Sequence, residues 1–166
     1  MSSKSNPALL VSFLVIAGVI AVVVLYPVFQ AAKPISQRLS DLTRMKQIGV
    51  AAMIYAEDSG SCLPIAANWK AALSPYIKNE FVFKCEHLSN GVNAYGHVYE
   101  RSAAGLNVMK TAEPEKQVMC FDGTNIVANA VGDYRTEIDF ERGNGAAHVV
   151  FADAHVRKVA KGWLGN

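Results

Sequence analysis

Hydrophobic positions fall into three regimes along the chain. From Ala8 to Ala32 they run on without a charge; from Ile35 to Ala56 they recur every three or four residues; beyond Ser59 they come in short bursts between turn residues. The first run is 25 residues long, and as a helix it covers roughly 37 Å, more than the ~30 Å hydrocarbon core of a bilayer. A secretory signal has an apolar region of only about 7–15 residues ending at a small-x-small site. Here Val22-Val23-Val24-Leu25-Tyr26 continues the run without one. A buried core helix is rarely apolar on every face at this length. The pattern therefore predicts a retained transmembrane helix over 8–32, after a short cytoplasmic tail at 1–7. Tyr26 sits where an interfacial aromatic belongs, and Pro27 bends a helix that a membrane tolerates.

Lys33-Pro34 interrupts the pattern, because proline lacks an N–H and restricts the residue before it. Ile35, Leu39, Leu42, Met45, Ile48, Gly49, Ala52, Met53 and Ala56 then form one stripe of an amphipathic helix over 33–58, with Arg38, Asp41 and Lys46 turned outward. Ser59-Gly60-Ser61 is a turn signal. Asn68 is placed to cap a short helix, Trp69 to Leu73, that Pro75 stops. Strands are predicted at Phe81–Lys84, Val92–Tyr99, Gln117–Phe121, Ala146–Ala152 and His155–Val159, separated by segments rich in Gly, Asn and Asp. Only Asp153-Ala154 joins the last two. A two-residue hairpin pairs Ala152 with His155 and Phe151 with Val156. Alternation then puts Val149, Phe151 and Val156 on one face, and His148, Val150, Ala152 and His155 on the other. Alanine in place of glycine after Asp153 costs about 1 kcal/mol or forces another turn. The predicted class is α+β: a long N-terminal helix packed on a small antiparallel sheet in a head domain over 59–166.

Charge and composition narrow the function. With 51% hydrophobic and 18% charged residues the chain is neither disordered nor fibrous. From Lys33 onward 15 basic residues face 14 acidic ones without a basic cluster, so nucleic acid is not an expected partner. Lys33, Arg38, Arg44 and Lys46 outnumber Lys4 across the apolar run. By the positive-inside rule that would hold the head in the cytoplasm, although long domains translocate largely regardless of charge.

Candidate chemistry is sparse. His148, Asp153 and His155 lie close in sequence, with Asp122 as a further carboxylate, and the group invites a metal or hydrolase reading. The expected hairpin leaves His148 at the far end of the strand from His155, which favours surface histidines. Asp122 and Asp153 each end a strand, where aspartate caps its own backbone; a cation shared between them is the weaker alternative. The chain contains no nucleophile elbow, phosphate loop or Cys-x-x-Cys, and no small-molecule substrate is evident. Trp69 and Trp163 are expected to anchor packing.

Four segments in order resemble the type IV pilin-like and type II secretion pseudopilin-like proteins, in the group with an H-x9-D-G signature near the C-terminus. Tyr26-Pro27-Val28-Phe29 is similar to the motif ending their membrane helix. Met45-Lys46-Gln47-Ile48-Gly49-Val50-Ala51 with Met53-Ile54-Tyr55-Ala56-Glu57-Asp58 is similar to the stretch that follows. Leu73-Ser74-Pro75-Tyr76-Ile77-Lys78-Asn79 running into Phe83-Lys84-Cys85 is the third, and Asn144 to Val156 resembles the terminal hairpin. Within that signature Gly143 stands for the His and Ala154 for the Gly. The family's prepilin cleavage site is degenerate: Ser5 stands for its Gly, and Leu10 for the glutamate that pairs with a neighbouring subunit.

The resemblance implies a single-pass protein of the cytoplasmic membrane whose head lies outside. It implies a structural role rather than catalysis, with membrane lipid and itself or other pilin-like subunits as partners. Leu10, Gly18 and Pro27 belong to the assembly helix on this reading. No cofactor is expected, calcium at Asp122 and Asp153 being the exception some pseudopilins suggest. Ser5 predicts an uncut N-terminus. Outside the cytoplasm Cys62 and Cys85 become candidates for a disulfide, while Cys120 lies within an apolar strand. The alternatives are a tethered binding or accessory domain that does not assemble, which Leu10 favours, and a membrane-anchored enzyme built on His148, Asp153 and His155.

Overall fold

The computed structural model describes residues 7–85, 95–143 and 145–163, with backbone alone for 7–10 and 30–40. The chain divides into two compact units, Met1–Gln37 and Arg38–Asn166. Helix α1 runs Pro7–Asp58 and contributes to both. Its helical path continues through Pro27 and Lys33-Pro34, where an interruption is predicted. Proline's fixed φ is itself helical, so what it removes is one main-chain bond.

In the first unit, Val11–Phe29 is long and apolar enough to cross a membrane, with a mean hydropathy of 2.7 and no residue buried. In the second, the remainder of α1 packs on a sheet. Met45, Ile48, Ala52 and Ala56 are buried as the stripe predicts, but Leu42 is exposed and Asp41 is buried. Asp41 precedes Met45 by four residues and Ile48 by seven, so it lies on the buried stripe whatever its charge. The Cys85 thiol meets its carboxylate at 3.7 Å.

Helix α2, Trp69–Leu73, begins after Asn68 as expected, although the Asn68 side chain makes no capping bond. The predicted strand Phe81–Lys84 is instead a 3-10 turn over Glu80–Phe83, set by the Asn79 side chain accepting from Phe81 N–H. Among the described residues only Lys84 of that segment pairs, in a single bridge to Tyr95. The sheet comprises β1 (His97–Glu100), β2 (Val118–Asp122), β3 (Val131–Gly132), β4 (Ala146–Phe151) and β5 (Val156–Ala160), in the order β3-β1-β2-β4-β5. It is mixed rather than antiparallel, because β3 joins β1 in parallel. A short helix α3, Tyr134–Glu137, follows β3 and is capped by the Asp133 carboxylate. Residues 92–94 of the second predicted strand lie outside the described residues. The class is α+β.

Each sheet face has its own core. Toward α1, Tyr99, Cys120, Val150 and Ala152 join Met45, Ile48, Trp69 and Phe83. On the other side Val98, Phe121, Val149, Phe151 and Val159 pack with Tyr134 and Trp163. Both tryptophans act as packing anchors: Trp69 stacks on Tyr99 at 5.5 Å and donates to the Ala130 carbonyl. A register shift at Met119 lets Val118 face Phe151 while Cys120 faces Val150.

The terminal hairpin departs by one residue from the predicted register. Val150 pairs with Val156, Phe151 N–H donates to the His155 carbonyl, and Ala154 N–H donates to the Phe151 carbonyl. The loop is therefore three residues, Ala152-Asp153-Ala154, and Ala154 takes the left-handed position with φ 65°. A one-residue slip exchanges faces. Val156 turns toward α1 with Val150, whereas His155 stacks on Phe151 at 4.2 Å on the far side.

Candidate functional site

Two features stand out: the exposed apolar span and a buried polar cluster in the head. In the span, large side chains from Val11 to Phe29 are at least half exposed, from 51% at Leu25 to 70% at Phe13 and Phe29. Ala17 and Ala21 lie with Phe13, Ile20 and Val24 along one apolar face. Among the described residues a Cβ at Gly18 meets nothing within 4 Å. Pro27 is exposed, and the Leu10 side chain lies outside the described residues.

The cluster is made where three strands bring His97, Asp122 and His148 side by side. His97 and Asp122 are register partners on β1 and β2, and His148 follows on β4. Asp122 Oδ1 meets His97 Nδ1 at 3.2 Å, and Oδ2 meets both the ring Nδ1 and the main-chain N–H of His148 at 3.0 Å. Burial alone would raise the Asp122 carboxyl, but the hydrogen bonds from His148 and His97 and their charge overcome it, holding the group well below the usual carboxylate range. An ionised Asp122 requires each ring to present Nδ1–H. Among the described residues the buried His97 Nε2 has no hydrogen-bond partner. Arg142, ion-paired with Asp139 at 3.0 Å, closes the end of the cluster by donating to the Gly96 and Gly123 carbonyls.

This arrangement locks strands together. Both carboxylate oxygens accept from donors within the sheet, so Asp122 does not cap its own backbone. His148 is buried and not a surface histidine. Asp153 does act as expected: it accepts from His155 N–H at 3.0 Å and from the His155 ring, in the exposed hairpin loop. It lies in the loop past Phe151, which is three residues and about 10 Å of strand beyond His148, so the Asp122 and Asp153 carboxylates are not brought together. Nor do His148, Asp153 and His155 form one group, since His148 faces α1 and His155 the opposite side. Among the described residues no cluster of three or more His, Cys, Asp or Glu is arranged to hold a metal ion.

The Cys62–Cys85 disulfide is not formed. Cys85 sits against Asp41, whereas Cys62 follows the end of α1, where Ser61 N–H donates to the Ala56 carbonyl. Asp41 and Ala56 are separated by fifteen helical residues, about 22 Å, far beyond the reach of a disulfide. Cys120 is buried in β2 as predicted, and burial pushes its thiol pKa up.

His97 and Glu100 were not singled out by the sequence. Glu100 is buried and accepts from Ser102 N–H and hydroxyl and from Tyr134 N–H, fixing the start of α3. The available signal was polarity inside an otherwise apolar strand, His97-Val98-Tyr99-Glu100. Compared with family models, curated proteins and solved structures, the chain matches none.

Proposed function

We propose that this chain is a membrane-anchored structural subunit of pilin-like build, held in the cytoplasmic membrane by Val11–Phe29 and associating there with copies of itself or with other pilin-like subunits. One observation carries the reading: the described span is apolar and exposed, while the head buries two cores of its own whose described hydrophobic members begin at Met45. Apolar surface of that extent belongs in lipid or against other helices. Ala17 and Ala21, four apart on one face, would let a second helix approach closely, and such packing drives association where lipid is as apolar as the side chains.

The head is placed outside the cytoplasm on this reading. The charge count does not decide this, because a domain as long as the head translocates largely regardless of charge. With Cys62 replaced by Ser, a cysteine introduced at Asn166 is expected to react with a membrane-impermeant reagent in intact spheroplasts. Reaction only after lysis reverses the orientation.

Leu10, in place of a carboxylate that would pair with a neighbour, favours a second reading in which the head is a tethered accessory domain that does not assemble. Crosslinking with mass spectrometry on native membranes separates the two. Assembly gives crosslinked oligomers that weaken in Gly18→Leu, with the melting of the head unchanged; a protein monomeric at native abundance leaves the tethered domain.

A further inference from the structure

We draw no further inference here: the strongest candidate, the buried His97–Asp122–His148 cluster on the α1-facing side of the sheet, spends both oxygens of its carboxylate on donors from β1 and β4 and belongs to the site already described.

Discussion

Asp122→Asn removes the charge of the buried cluster while keeping its shape. The native carboxylate accepts from the His97 ring at 3.2 Å and twice from His148 at 3.0 Å. The amide keeps one oxygen, which still serves His148, and turns its NH2 group toward His97 Nδ1. His97 can accept from it only through an Nδ1 that carries no proton, which puts the ring proton on Nε2, buried and without a partner among the described residues. An unsatisfied buried donor costs about 1–3 kcal/mol, and loss of the charge-assisted bonds adds about 1.5 kcal/mol. The sum, about 3 kcal/mol, lowers Tm by about 10 °C for a protein of this size.

Tryptophan fluorescence of the full-length protein in detergent measures this, since Trp69 and Trp163 both report on the head. The pH dependence supplies a second, independent readout. Asp122 has a folded pKa below its unfolded value of about 3.9. Its stabilisation is therefore complete above about pH 5 and lost as pH falls through the folded value. Asp122→Asn lacks that contribution, so the gap to the native protein narrows on acidification. Asp153→Asn, whose partner is exposed, is the control and changes stability by at most about 0.5 kcal/mol. A gap at pH 7 below about 2 °C, or one that widens in acid, would refute the argument that the carboxylate holds the strands together.

Two further substitutions probe how α1 meets the terminal hairpin. A Cβ at Gly49 would lie 2.9 Å from Val150 Cγ1 and 3.2 Å from Ala154 Cα, so Gly49→Val overpacks a stiff contact and destabilises by about 2 kcal/mol or more in a urea titration. An unchanged midpoint would mean that α1 does not approach the hairpin this closely. Ala154→Gly relieves a left-handed alanine at φ 65° and is expected to stabilise by about 0.5–1 kcal/mol. A lower Tm would show that the buried Ala154 methyl outweighs the backbone strain.

Periodicity made the helices and much of the sheet legible, because the signal lies within one element. The unbroken run 8–32 and the stripe Met45, Ile48, Ala52 and Ala56 each follow from spacing alone, and β2, β4 and β5 appear within a residue or so of their predicted bounds. What spacing could not supply was pairing between elements. Asp41 reads as an outward charge until Cys85, 44 residues later, is brought against it. His97, Asp122 and His148 lie 25 and 26 residues apart, and only the pairing of β1 with β2 and β2 with β4 makes them neighbours. The terminal hairpin shows how little is needed to change the chemistry inferred. A two-residue turn would put His148 and His155 on one face, where an enzyme or metal reading can start. The left-handed Ala154 lengthens the loop by one residue, sends His155 to the Phe151 side, and leaves Asp122 to bind His148 and His97 alone. One backbone dihedral thus separates a three-residue polar group from two independent pairings, a buried clamp and an exposed loop cap.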